Sequence, residues 1–455
     1  LITLVVLAKA STPVPDTSPE CLSCQQQVEQ LDLTWTNTTA VAEVLESLEA
    51  QCKDKYKLVK REICDKVAEV LVQIPPQIFS ALGSLAWDIP AGTCATMRKC
   101  TVNCCSADSI EQVHLSLAAQ DRSKMGVTWV TLSNTATEVE YSTDPDFADG
   151  TSTSVNTNFA TGNINTYKSA GWIGTIHKAM MEGLKPNTRY YYRVGGSDDN
   201  GVASWSEVFN FKTFNPDAES VRYGVVADMG YGTNSDNTIK QLAQLVKDDE
   251  IDVIVHSGDI GYADGYEAHW DTFLNKVQPI AAYVPYMVTP GNHEFWYNFA
   301  AYKARFFMPG NDMNADPFVS KRNKLRHPFE GDDENMYFAW SYGSTFFMSM
   351  NSETNLDLPD FHNTMISYYK NNVLNIVDRN ETPFLIANFH RPLYCTQSSQ
   401  CTRNDDQPNR LTVQGEELFY QNKVDIVLSG HIHDYERTFP VYKNAMVNAT
   451  VDGYT

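Results

Sequence analysis

The sequence predicts three kinds of architecture in one chain: a disulfide-tied all-α module, a β-sandwich, and an α/β domain. Three observations carry this. Eight of the ten cysteines fall between Cys21 and Cys105, and none occurs in the next 289 positions. Short apolar runs then alternate with period two from Ser106 to Phe214, and after Asn215-Pro216 apolar runs are separated by longer stretches of helical spacing. At 455 residues there is room for about three domains, each with its own core.

The helical module rests on two stripes. Val41, Val44, Leu45, Leu48 and Cys52 follow i, i+3, i+4, i+7, i+11, and Ile63, Val67, Val70, Leu71 and Ile74 repeat the pattern until Pro75-Pro76 stops it. Cys21, Cys24, Cys52, Cys64, Cys94 and Cys100 have the spacing C-x2-C-x27-C-x11-C-x29-C-x5-C. Clustered cysteines on apolar helical faces read as a disulfide framework formed in an oxidising compartment. Six cysteines allow fifteen pairings. Over residues 21–100 this spacing resembles the saposin family. The resemblance implies the bridges Cys21–Cys100, Cys24–Cys94 and Cys52–Cys64, and a module (21–105) that contacts lipid or a membrane surface. A folding aid or spacer is the competing reading. Cys104-Cys105 lies outside the framework; a vicinal bridge, partners beyond the chain shown and intermolecular bonds stay open.

The sandwich is assigned to residues 106–214. Val113–Leu117, Val127–Trp129, Val139–Tyr141, Tyr190–Val194 and Phe209–Phe211 read as short strands between turn signals. Leu184-Lys185-Pro186-Asn187-Thr188-Arg189-Tyr190 resembles the tyrosine corner of fibronectin type III domains, where the phenol bonds back to upstream backbone. No catalytic cluster is visible, so the module is given a positioning role.

In the α/β part, residues 215–455, five apolar runs end in residues able to bind metal. Val221–Ala227 leads to Asp228-Met229-Gly230, and Asp252–His256 to Gly258-Asp259-Ile260-Gly261-Tyr262. Pro285–Thr289 leads to Gly291-Asn292-His293-Glu294, Phe384–Asn388 to Phe389-His390, and Val424–Ser429 to Gly430-His431-Ile432-His433. The carboxyl ends of strands are where α/β sheets build sites. A lone strand-terminal Asp is usually a cap and a lone His a core residue. Five blocks in order over 206 residues make that reading untenable. Carboxylate and phenolate oxygens with an imidazole suit trivalent iron, whereas imidazoles and an amide oxygen suit a divalent ion. Two metals about 3.5–4 Å apart can clamp a phosphate and activate water.

From about Ser106 onward these blocks resemble the purple acid phosphatases of the calcineurin-like metallophosphoesterase superfamily. The resemblance implies that Asp228, Tyr262 and His433 bind Fe(III), that Asp259 bridges, and that Asn292, His390 and His431 complete a divalent site for Zn, Fe or Mn. It implies that His293 lies beside the phosphate as a proton-transfer residue, and that phosphate monoesters are hydrolysed by in-line attack of a hydroxide held at the Fe(III)–M(II) pair. An acidic optimum follows, since zinc-bound water alone, with a pKa of about 7, is mostly protonated in acid. One departure concerns the leaving-group acid: plant members carry histidines shortly after the fourth block, and Cys395-Thr396-Gln397-Ser398-Ser399-Gln400-Cys401 has none. His293, Glu294 and solvent are the candidates. Cys395 and Cys401 are read as a short bridge, Arg391 as a contact to phosphate or to a carboxylate, and His256 and His269 as supporting residues.

A formal charge of −21 argues against nucleic acid as a partner. No apolar run approaches 18 residues, so no transmembrane helix is predicted. Residues 1–10, ending in Ala8-Lys9-Ala10, read as the remnant of a secretory signal peptide. The acceptor triplets at Asn37, Asn380 and Asn448 agree with a secreted or lysosomal/vacuolar glycoprotein. The C-terminus reads as cut within the catalytic domain. Two other functions compete: a sphingomyelinase-like lipid phosphodiesterase, whose first block would read D-x-H and whose second would lack the tyrosine, and a non-catalytic lipid-binding or adhesion protein, which would have lost ligands.

Overall fold

The computed structural model describes residues 16–34, 89–96, 98–107, 109–149, 157–198, 200–218, 220–311, 334–353, 359–396 and 410–447. The chain divides into two compact units. The smaller comprises Pro15–Asn103 with Lys168–Trp172, and the larger holds Cys104–Tyr167 and Ile173–Thr455 together with Leu1–Val14.

In the smaller unit helix α1 (Pro19–Thr34) begins with Pro19 at its first position and with the Ser18 hydroxyl accepting the Cys21 amide at 3.2 Å, a standard cap. Cys21 and Cys24 are three residues apart and so share a helix face. They are bonded to Cys100 and Cys94, the latter within helix α2 (Ile89–Thr96). The stripes at 41–52 and 63–74, the Cys52–Cys64 pair, residues 1–10, Asn37, Asn448 and Cys401 lie outside the described residues. Cys395 is disulfide-bonded.

In the larger unit eight antiparallel strands form the sandwich: β1 (Glu111–Leu117), β2 (Met125–Thr131), β3 (Glu138–Ser142), β4 (Asn158–Asn165), β5 (Thr175–Met181), β6 (Arg189–Ser197), β7 (Ala203–Trp205) and β8 (Phe209–Lys212). The order is β8-β6-β3-β4-β5-β2-β1, with β7 beside β6. Strand β4 joins the two faces by pairing first with β3, through Asn158–Thr161, and then with β5, from Gly162 on. A Cβ on Gly162 would lie 1.9 Å from the Lys178 carbonyl oxygen, so the changeover needs glycine. The Tyr190 hydroxyl accepts the Lys185 amide at 2.9 Å, and Trp129 stacks on His177 in the core. Cys104 and Cys105, at the start of this unit, are two buried free thiols, which sets aside the vicinal bridge left open above.

The α/β part has two sheets. Strands β9 (Tyr223–Val226), β10 (Val253–Ser257) and β11 (Tyr286–Thr289) are parallel neighbours. Strands β12 (Phe338–Tyr342), β13 (Thr345–Ser349), β14 (Phe384–Asn388) and β15 (Ile426–Leu428) form the second sheet, its first pair antiparallel and the others parallel. Strands β10, β11, β12 and β13 are buried along their whole length, in keeping with their mostly apolar sequences. Helix α3 (Asp236–Lys247) packs inward through Ile239, Leu242 and Val246, and helix α4 (Ala268–Ala281) through Trp270, Phe273, Leu274 and Val277.

A buried polar cluster ties sandwich to α/β part within this unit. Arg305, fully buried, bonds Asp271 at 2.8 Å, Gln112 at 2.9 Å and the Tyr167 hydroxyl at 2.8 Å, and that hydroxyl donates to Glu267 at 2.5 Å. Buried charge is tolerated here because each group faces an opposite charge or a donor.

Candidate metal centre

Sheet register builds the site. Val226 pairs with His256 and Ser257 with Thr289, while Ser349 pairs with Asn388 and Asn388 with Leu428. Within each sheet the carboxyl ends therefore finish level, those of β9, β10 and β11 in one and of β14 and β15 in the other, and the residues that follow them turn into one cleft. Those turns are sharp: Asp228, Asp259, Tyr262, Asp264 and His431 all have φ between 49° and 73°, a region that side chains normally avoid. Backbone strain of this kind costs about 1–3 kcal/mol per residue and persists where surrounding structure enforces it. Gly258 and Gly291 make room, since a Cβ on Gly258 would sit 2.6 Å from the His390 side chain and one on Gly291 2.2 Å from Asp259.

The cleft holds two groups of heteroatoms. In one, Nε2 of His390 lies 3.1 Å from Oδ2 of Asp259, 3.1 Å from Oδ1 of Asn292 and 3.2 Å from Nδ1 of His431. Asp259, His390 and His431 each offer one such atom, all within 4.8 Å of one another. In the other, the Tyr262 hydroxyl is 2.8 Å from Nε2 of His433 and 3.2 Å from Oδ1 of Asp228, and His433 is 3.4 Å from the same oxygen. All seven residues expected as ligands are thus brought together by five separate strand ends.

This set fits metal ions. One imidazole nitrogen carries at most a single proton, yet three lone-pair atoms converge on Nε2 of His390. A cation among them would be bound by all four. Charge tells the same story. Burial resists ionisation of Asp259, but His390 and His293 outweigh it and hold the carboxyl below its usual range; His390 in turn is raised by Asp259, against its own burial. A proton shared there occupies the place of a stronger cation. For Tyr262, burial and then Asp259 and Asp228 push the phenol up, a direction that a bound metal would invert.

Around these atoms lie residues that motif reading did not resolve. Asp264, which no motif singled out, places Oδ1 2.6 Å from Nδ1 of His293. The backbone amide of His293 donates to Asp259, and its Nε2 is 3.8 Å from that carboxylate. Burial lowers the pKa of His293, but Asp264 and then Asp259 more than offset this and raise it above the ordinary histidine value. The buried carboxyl of Glu294 accepts the amides of Ile260 and Gly291 at 2.9 and 2.8 Å and so braces the loops that carry Asp259 and Asn292. Arg391 bonds Glu353 at 2.8 Å, and His256 bonds the Tyr286 hydroxyl at 2.8 Å. His269 stacks on Tyr231 with ring centroids 3.7 Å apart. Asn380 is exposed.

Fold and site together define a calcineurin-like, metal-dependent phosphoesterase, and residues 221–435 match the calcineurin-like phosphoesterase family. Residues 110–213 match the N-terminal domain of purple acid phosphatases. Probable purple acid phosphatase 20 of Arabidopsis thaliana is 30% identical over 337 residues, 73% of this chain and 70% of that protein. Acid phosphatase type 7 of Danio rerio is 32% identical over 367 residues, 75% and 74% of the two chains. Among solved structures, purple acid phosphatase PPD1 from yellow lupin seeds superposes with a TM-score of 0.58 at 26% identity. That match covers 74% of this chain and 61% of the lupin chain, less than two thirds of it. The chain belongs to the purple acid phosphatases, metal-dependent phosphatases whose centre generally pairs iron with a divalent metal.

Proposed function

We propose that this chain hydrolyses phosphate monoesters in acid, at a pair of metals held by Asp228, Tyr262 and His433 on one side and Asn292, His390 and His431 on the other, with Asp259 shared. The observation that carries the reading is the convergence of three heteroatoms on Nε2 of His390, beside a second group in which a phenol meets an imidazole and a carboxylate. When bound, iron(III) with Zn, Fe or Mn would polarise the phosphoryl oxygens and lower the pKa of water. The protein does the rest. Backbone strain and flanking glycines fix the donor atoms before substrate arrives. His293, oriented through Nδ1 by Asp264, presents Nε2 to the cleft and protonates the leaving oxygen.

The sandwich is read as fibronectin type III-like, on its antiparallel order and the Tyr190–Lys185 bond. The cysteine-tied unit is read as saposin-like, on the Cys21–Cys100 and Cys24–Cys94 bridges, which also favour a secreted or lysosomal compartment. Contact with a lipid surface through it would bring lipid-associated phosphate esters to the site.

The test is the protein purified from a secreting host, with its metals determined and its visible spectrum recorded. Hydrolysis of p-nitrophenyl phosphate is compared with that of bis(p-nitrophenyl) phosphate. An iron-containing, coloured protein that prefers the monoester and loses its visible band in Tyr262→Phe is expected. A colourless iron protein, an unchanged band in Tyr262→Phe, or preference for the diester overturns the reading.

A further inference from the structure

Arg391 follows His390 directly, and residues 391–401 contain no histidine. The guanidinium is built into place. Nε of Arg391 bonds Oε2 of Glu353 at 2.8 Å, and its backbone amide donates to the Ser352 hydroxyl at 2.9 Å. Ser352 in turn bonds Glu353 at 2.8 Å, and the Glu353 amide donates to Asn351 at 2.7 Å. The Glu353 side chain is 4% exposed, whereas that of Arg391 is 37% exposed. A buried carboxylate thus grips the inner edge of the guanidinium, and the outer edge faces the cleft, with Nη1 2.9 Å from Nε2 of His431.

That last contact is incompatible with a loaded site. Nδ1 of His431 is the nitrogen that meets His390 and the metal-binding group. When Nδ1 gives its lone pair to a cation, the ring proton sits on Nε2. Nε2–H and Nη1–H are then both donors, and Nη1 must turn to an acceptor. A phosphate in the cleft would be one such acceptor, since a guanidinium edge matches two phosphate oxygens in one plane.

We propose that Arg391, steadied by Glu353, is the phosphate clamp of this site and favours monoesters, which offer three non-ester oxygens, over diesters, which offer two. It rests on the monoesterase reading only for the name of the substrate; the clamp itself is a claim about phosphate. The experiment uses the full metal-loaded chain and measures inorganic phosphate binding by calorimetry, metal content, and KM and kcat on the monoester and diester. Losing a charge-assisted bidentate contact should weaken phosphate binding in Arg391→Met by about 10- to 100-fold. KM for the monoester should rise in proportion, diester turnover should change less than about threefold, and metal content should hold. Arg391→Lys keeps the charge without the fork and should recover part of the binding. Unchanged phosphate binding in Arg391→Met overturns the clamp. So does metal loss in both variants, which would make Arg391 a support for His431. If the wild type hydrolyses no monoester yet phosphate binding still depends on Arg391, the clamp stands and the monoesterase reading falls.

Discussion

Oδ1 of Asp264 lies 2.6 Å from Nδ1 of His293, and Asp264 is itself held in the left-handed region at φ 49° on the loop that carries Tyr262. One loop therefore sets both a proposed metal ligand and the orientation of the imidazole beside it. In Asp264→Asn the amide can still meet the ring, but it can offer its NH2 group to Nδ1 and let the other tautomer form. A misdirected imidazole costs up to about 100-fold in rate. Asp264→Asn is expected to lower kcat by 10- to 100-fold, about the range set by positioning effects, with metal content kept and KM within about threefold. Loss of metal instead would make Asp264 part of the ligand scaffold.

Arg305 anchors sandwich to α/β part through groups contributed by both. Removing it leaves Asp271 buried without its cation, and Glu267 and Tyr167 without theirs. Breaking one side of a buried pair costs about 3–5 kcal/mol. Urea unfolding of Arg305→Met, which keeps most of the volume, should show that loss. Tyr167→Phe removes the bond donated to Glu267 and the one accepted from Arg305 but leaves the charges of the cluster in place, and should cost less, about 1.5–3 kcal/mol. An Arg305→Met protein within about 1 kcal/mol of wild type would show that water or local rearrangement pairs Asp271 in its place.

The strands that end in ligands were legible because short, mostly apolar runs are stopped by glycine and a donor residue, as at Gly258-Asp259 and Gly291-Asn292. Other strands escaped for equally physical reasons. Thr175–Met181 carries His177 and Lys178 into the core, where Thr131, Thr137 and Asn311 satisfy them, so its pattern does not read as a buried strand. Asn158–Asn165 is mostly exposed or half-buried and lacks alternation. Phe338–Tyr342 and Thr345–Ser349 meet at Gly343 and carry no ligand to mark them. Asp264 and Glu353 look in sequence like any loop carboxylate. Only the fold reveals that one faces His293 and the other Arg391.

Stability in acid has an opposing-sign test. Burial pushes both His114 and His177 down to about 4. Above pH of about 6.5 neither folded nor unfolded chain protonates them, so they add no pH dependence. As pH falls from about 6.5 toward about 4 the unfolded chain takes up protons that the folded one refuses, and stability drops by roughly 3 kcal/mol for each. Glu267 is raised by burial to about 7, so the folded chain binds its proton first, and its contribution grows as pH falls from about 7 toward 4.5. His177→Gln, neutral in both states, should flatten the decline in urea midpoint between pH of about 6.5 and 4. An unchanged pH slope would mean that His177 protonates equally in both states.

Gly291 separates geometry from backbone conformation. Its φ of −111° and ψ of −176° are open to alanine, so Gly291→Ala brings no backbone strain. The methyl group, however, would sit 2.2 Å from both the amide nitrogen and Oδ1 of Asp259. Neither can yield cheaply: Oδ1 accepts the His293 amide and the other oxygen meets His390. The shared carboxylate must therefore move, and with it the one residue assigned to both halves of the centre. Gly291→Ala should lose bound metal and at least about 100-fold in activity. Gly232→Ala is the matched control, since a Cβ there meets nothing within 4 Å and its φ of −66° suits alanine equally well. Equal metal content in the two variants would show that Asp259 is not held where its neighbours place it, and the bridging assignment would fail with that result.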